Sequence, residues 1–213
     1  MMAKKHENEA LTKRAYEVRM AADPETHKVE GMAVVFNQAT VIKDWWGDSY
    51  TEVISPEALS NCDMSDVLFC VNHETEKIPL ARSRNGNGTL KLDLTPEGLR
   101  MSANLDVDRN PEAAALYSAI DRGDIWGMSF MFRVRGEEWE NLETDEPIRT
   151  ITDISIIHEV SAVTDPAYPQ TSITARSSEE TECSALVEAR KKKAEETALV
   201  LEKEKNKVKL LWI

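Results

Sequence analysis

Apolar and polar residues alternate with a period of two along most of the chain, and this pattern predicts strands. In "RAYEVRMAA", Tyr16, Val18 and Met20 fall on one face. "DPET" then reads as a turn and "KVEGMAVVFN" resumes the extended pattern, so the two runs predict a hairpin. "YTEVI" predicts a short strand, and Ser55 ahead of Pro56 predicts the cap and first residue of a short helix reaching about Cys62. "VLFCVNHE" predicts a strand ending in His73. "IPLARS", "GTLKLDLT" and "GLRMSANLD" predict further strands, with "RNGNG" and "PEG" as turns. The strongest helical pattern is "NPEAAALYSAIDRG", where Asn110 caps, Pro111 opens and Gly123 stops the helix. "WGMSFMFRVR" predicts a strand, "GEEWENLETDEP" a polar connection, and "RTITDISIIHEVSAVT" one long strand or two with a bend. The loop "QATVIKDWWGDS" carries Trp45 and Trp46 side by side, as a packing lid or a peptide-contact surface.

The sum is a mostly β fold with peripheral helices (α+β), arranged as an antiparallel barrel or sandwich. Strands alternating with long helices, a GxGxxG, a P-loop and an internal repeat are all absent. Composition changes near Ser177. The segment beyond it has no Gly or Pro and is rich in Glu, Lys and Ala, which predicts a helical or partly disordered tail. The expected organisation is therefore a flexible segment 1–11, a folded domain 12–176 and a charged tail 177–213. The tail closes on the apolar "KLLWI", which docks on a partner or on its own domain, unless the tail is a solvated helix with no specific role.

A chain of 213 residues has room for one domain and an appendage. The formal net charge of −12 repels phosphate backbones, so no nucleic acid partner is expected; a basic or self-complementary protein partner fits. No run approaches the roughly 18 apolar residues of a membrane span, and "MMAKKHENEALTKR" lacks the apolar stretch of a secretory signal. Cys62, Cys70 and Cys183 have no metal-ligand spacing and read as reduced cytosolic thiols, so neither a metal nor another cofactor is expected.

Strand parity sorts the residues that could do chemistry. In "WGMSFMFRV", Met128, Phe130, Phe132 and Val134 share an apolar face. Ser129 lies on the other face with Gly127, Met131 and Arg133, pointing out of the core beside open space at the glycine. In "DISIIHEVSAV", Glu159 falls on the more polar face and His158 on the core-like one. His6 and His27 lie in a tail and a turn, whereas His73 closes a strand. A serine hydroxyl is a weak nucleophile until a base takes its proton, and an imidazole whose far nitrogen is held by a carboxylate does so. His73, Ser129 and Glu159 make such a set, for which base catalysis contributes about 10²- to 10⁴-fold. Arg133 and a backbone amide near Ser129 are candidate oxyanion donors. A Cys70–His73 pair fails on one straight strand, where residues three apart face opposite sides.

The stretches "EGMAVVFN", "YTEVISPEAL", "VLFCVNHE" with "IPLARSRNGNGTLKL", "GLRMSANLD", "DRGDIWGMSFMFRV" and "HEVSAVTDPAYPQT" carry a resemblance. Over residues 15–176 the chain resembles the tailed-phage prohead serine proteases, whose fold is similar to that of herpesvirus assemblins. The resemblance implies an antiparallel β-barrel of the assemblin type. It maps the base onto His73, the nucleophile of a Gly-x-Ser-Phe strand onto Ser129, and the acid onto Glu159. Assemblin-type sites use a second histidine as third member, which makes His158 a competitor of Glu159. Asp165 departs from the pattern, where an apolar residue is expected before "PA". The implied activity is an endopeptidase of capsid maturation, acting inside the assembling procapsid in the host cytoplasm. It would cut the scaffold, or a scaffold-like extension of the major capsid protein, and then itself. A homodimer is implied as plausible, and the tail would serve in targeting or scaffold docking. The alternative is a non-catalytic assembly module with a protease-derived fold. Met131 stands where the second glycine of GxSxG would be, which argues against an α/β-hydrolase.

Overall fold

The computed structural model describes residues 11–16, 20–23, 25–43, 49–144, 146–164, 186–195 and 198–199. The strands are β1 (Leu11–Tyr16), β2 (Ala21–Asp23), β3 (Lys28–Val35), β4 (Thr40–Lys43), β5 (Ser49–Ile54), β6 (Asp66–Val71), β7 (Ala81–Arg84), β8 (Asn87–Gly88), β9 (Leu90–Thr95), β10 (Gly98–Asn104), β11 (Gly127–Glu140) and β12 (Ile148–Val163). A 3-10 turn at Pro56–Leu59 and the helix α1 (Pro111–Asp121) lie among them. The fold is mostly β with a few helices.

The strands form an eight-stranded sheet, with β1-β11-β12-β6-β7-β8 as its main path, and a four-stranded sheet ordered β2-β3-β10-β9. Among the described residues this pairing closes into no barrel. The reason lies in β12, sixteen residues long. One edge of it pairs antiparallel with β11; the other is shared, Ile148–Ile151 pairing parallel with β5 and Glu159–Ala162 parallel with β6. The two sheets pack face to face. Val29, Ala33, Val34, Leu99 and Met101 of the smaller sheet meet Met128, Phe130, Phe132, Ile154, Ile157 and Val160 of the larger in one core. Phe130 and Phe132 stack with ring centroids 4.3 Å apart.

Local chemistry explains both ends of α1. Asn110 Oδ1 accepts hydrogen bonds from the Glu112 and Ala113 amides at 3.0 and 3.4 Å, opening α1. Gly123, at φ +77, takes the left-handed conformation just beyond it. Asn110→Ala is expected to cost about 1 kcal/mol of stability, read as a lower urea midpoint at unchanged slope.

Several local expectations are corrected, beginning with the loop "QATVIKDWWGDS", whose Thr40–Lys43 form the strand β4 paired with β5. Among the described residues of "RAYEVRMAA", Ala21 and Ala22 join a hairpin with β3 through β2, whereas Arg14–Tyr16 belong to β1, which crosses to the other sheet and pairs with β11. The helix after Ser55 is a single 3-10 turn ending at Leu59. "GEEWE" is strand rather than connection, because Glu137–Glu140 continue the ladder with Ile148–Ile151. The Trp45–Trp46 pair, Val18, Cys183, Asp165 and the "KLLWI" end lie outside the described residues. Within the tail, residues 186–195 are helical. Leu186 is fully buried in a small cluster with Ile42 and Tyr50.

Candidate active site

Strand β11 supplies Ser129. Its first six residues, Gly127–Phe132, are all buried, so both faces of this stretch are covered. Met128, Phe130 and Phe132 fill the core as their parity predicts. Ser129 takes the opposite face, but it does not stand in open space: it is 1% exposed. Its neighbours in register are Ala15 of β1 and Ser161 of β12.

Strand β12 supplies Glu159, opposite Met131 on the Ser129 face. The path of β12 explains why. Thr152, Ser155 and His158 have no Cα partner on β11, so each is a bulge that resets the alternation. The core face therefore reads Ile151, Ile154, Ile157, Val160, Ala162 instead of a simple period of two. With His158 taken up by a bulge, Ile157 and Val160 both face the core and Glu159 faces Ser129's side.

His73 comes from the turn after β6, two residues beyond the strand end rather than within it. Asn72 and His73 have φ values of 48 and 63, a left-handed pair that swings the imidazole back over the sheet. The Asn72 amide donates to the Ala162 carbonyl at 3.0 Å, tying this turn to β12.

These three placements bring the side chains together. Ser129 Oγ lies 2.8 Å from His73 Nε2, and His73 Nδ1 lies 2.5 Å from Glu159 Oε1. An ionised carboxylate only accepts, so Nδ1 carries the proton it donates to Glu159. In the neutral ring this leaves Nε2 bare towards the serine. The Ser129 hydroxyl also donates to the Arg14 carbonyl at 2.7 Å, so its one proton has two acceptors within reach. Glu159 is fully buried and His73 partly exposed, so the base sits at the site's solvent side. This arrangement can move a proton from the serine oxygen to the imidazole while the carboxylate holds the ring and stabilises its charge.

The surroundings add polar groups that the alternation of residues did not single out. Ser161, fully buried, donates its hydroxyl to Glu159 Oε2 and accepts the His73 backbone N–H at 3.1 Å. The Glu-Val-Ser spacing was the available signal, since residues two apart on a strand share a face. Lys13 of β1 is half-buried; desolvation pushes its ammonium below the ordinary value, with the Glu159 charge pulling it back. Strand β1 is anchored by Arg14, whose Nε and Nη2 meet Glu52 at 2.5 and 2.7 Å. Arg149 Nη1 joins the same carboxylate at 2.9 Å and reaches Glu137 with its remaining nitrogens.

Cys70 lies beside Ser161 in register, close to the site. Burial, and then the Glu159 charge, push its thiol up to about 12; Cys62 is likewise about 12 through burial. Both are protonated at neutral pH, and the thiolate is the nucleophile. Native protein should therefore show no iodoacetamide adduct on either thiol at neutral pH, and unfolded protein should show both, by peptide mass mapping.

Arg133 and His158 are not brought to this group. Arg133 is four positions beyond Ser129 on β11, about 13 Å at ~3.3 Å per residue. Its Nε donates to His158 Nε2 at 3.3 Å. His158 thus sits with Arg133 on the bulged part of the ribbon, and Glu159 is the acidic residue at His73.

A buried serine, an imidazole and a carboxylate in this order define a serine-hydrolase type of constellation. Residues 14–184 match the Caudovirus prohead serine protease family, and the chain belongs to that family. A solved structure with similarity to the chain is that of the bacteriophage T4 capsid assembly protease, gp21, at 13% identity and a TM-score of 0.40, covering 73% of this chain and 99% of that one. No curated protein matches the chain.

Proposed function

We propose that the chain is a serine endopeptidase of capsid maturation in which Ser129 is the nucleophile, His73 the general base and acid, and Glu159 the residue that orients and stabilises His73. The observation that carries this reading is the continuous chain of contacts from Ser129 Oγ through the two ring nitrogens of His73 to Glu159. Family membership supports the peptidase class and its place in the assembling prohead.

In the reaction, Ser129 Oγ attacks the substrate's peptide carbonyl as its proton passes to His73 Nε2. The imidazolium is stabilised by the buried Glu159 carboxylate. Collapse of the tetrahedral intermediate breaks the C–N bond, and His73 returns the proton to the leaving amine. Water then attacks the acyl-enzyme, giving its proton to His73; the ester bond breaks, the new carboxyl terminus leaves, and Ser129 regains its proton.

The substrate class proposed is the scaffold, or a scaffold-like extension of the major capsid protein, together with the chain itself. Residues 12–176 would carry the enzyme and 177–213 the charged appendage, with Leu186 seated against Ile42 and Tyr50 supporting a docked start to that appendage. The kinship with herpesvirus assemblins belongs to this proposal too, with an acid at Glu159 where those sites use a second histidine. Co-expression with the capsid precursor, followed by mass mapping of the fragments, tests the function. Wild-type protein should yield defined fragments of the precursor. An intact precursor in particles that contain the folded protein would refute the reading.

A further inference from the structure

Glu159 presents two oxygens in a place without solvent, and His73 accounts for one of them. A buried carboxylate oxygen left without a donor is costly. Ser161 meets this need through its hydroxyl. The same Ser161 oxygen accepts the backbone N–H of His73 at 3.1 Å. That amide belongs to a residue at φ 63, preceded by another at φ 48. Such conformations cost free energy in residues other than glycine and persist where surrounding contacts hold them. Thus one fully buried hydroxyl touches both the carboxylate that orients the imidazole and the main chain that carries it. Its position is set by the sheet: Ser161 is in register with Ser129 on one side and Cys70 on the other.

We infer that Ser161 is a positioning residue of the reaction, which holds the Glu159 carboxylate and the Asn72–His73 turn in one geometry so that Nε2 faces Ser129. The inference rests on the roles proposed above for His73, Ser129 and Glu159. It acts through them, since Ser161 touches no reacting atom. A hydroxyl of this kind need not affect substrate affinity; it determines how often the base is aligned when substrate is bound.

The test uses the full chain with Ser161→Ala and Ser161→Thr. Ser161→Ala is expected to lower kcat by about 10- to 100-fold, the effect of losing a hydrogen bond to a charged group, with KM within about twofold. Ser161→Thr keeps the hydroxyl and should recover much of that loss. Proton NMR of the downfield His73 Nδ1–H resonance, recorded in a Ser129→Ala background, gives a readout that needs no turnover. The resonance is expected to shift or broaden on adding Ser161→Ala and to be retained with Ser161→Thr. If Ser161→Ala turns over at the wild-type rate with this resonance unchanged, the inference is overturned. It is equally overturned if folded Ser161→Thr is as impaired as Ser161→Ala. Failure of the catalytic reading itself looks different: Ser129→Ala would remain active while the NMR response to Ser161 persisted.

Discussion

Ser129→Ala is expected to fold like the wild type and to cut peptide-bond hydrolysis by about 10⁴-fold or more. The size of the loss follows from the roles proposed for the group. Without Oγ there is no acyl-enzyme, and direct attack by water must replace a two-step route that the imidazole serves twice. Stability should change little. The variant gives up the hydrogen bond from Oγ to the Arg14 carbonyl, but Ser129 neighbours stay packed, since Met128 and Phe130 anchor β11 from the other face. Thermal unfolding beside a fragment assay of co-expressed precursor separates the two effects. Activity near wild type in folded Ser129→Ala would remove the serine from the mechanism.

Glu52→Gln is expected to be the most destabilising of the conservative substitutions in the sheet, by about 3–5 kcal/mol. Glu52 is 3% exposed and receives both Arg14 and Arg149. Replacing it leaves two buried guanidiniums with one fewer negative charge between them, while Glu137 pairs with Arg149 and accepts the Trp139 indole N–H. The pH dependence follows the same chemistry. Burial alone would raise the Glu52 carboxyl, but the Arg14 and Arg149 charges outweigh it and hold the group below the ordinary carboxylate range. A depressed folded value stabilises the fold above the unfolded value, near pH ~4.3, and that stabilisation is lost as the pH falls through the folded value. Denaturant titrations should therefore find the wild type losing stability on acidification below about pH 4, and the Glu52→Gln variant losing less over the same range. Equal acid slopes in the two proteins would contradict this account. Activity should fall as well, because the Arg14 side chain anchors β1 while its carbonyl touches Ser129.

The parts of the fold readable in the sequence are those set by local chemistry. Asn110, Pro111 and Gly123 bound α1 because capping, a fixed φ and a left-handed stop act within a few residues. Met128, Phe130 and Phe132 face the core because that stretch of β11 alternates without interruption. The same parity turns Ser129 away from the core and sets Glu159 on the more polar face of its strand; that the two faces coincide follows from the pairing of β11 with β12. What escaped depends on partners distant along the chain. Residues 136–140 read as a polar connection because "GEEWE" is charged, yet Glu137 is paired with Arg149 across the ladder. The exposure expected at Ser129 was wrong because alternation says which face a residue takes, not what covers it. His73 reads as a strand end because nothing in "VNHE" announces two successive left-handed residues. The bulges at Thr152, Ser155 and His158 defeated a strict period of two, and with it the expected core position of His158. Arg133, a candidate oxyanion donor by sequence, donates to His158 instead, a pairing that depends on the bulge at His158.

In the proposed reaction Ser129 is a nucleophile activated by His73. The direct measurement is mass-spectrometric mapping of a serine-reactive phosphonate after its reaction with protein held in assembling particles. One adduct is expected, on the peptide carrying Ser129, and it should be lost in His73→Ala. Particles that cleave their capsid precursor yet carry no adduct on Ser129, or carry it on another serine, would contradict the account.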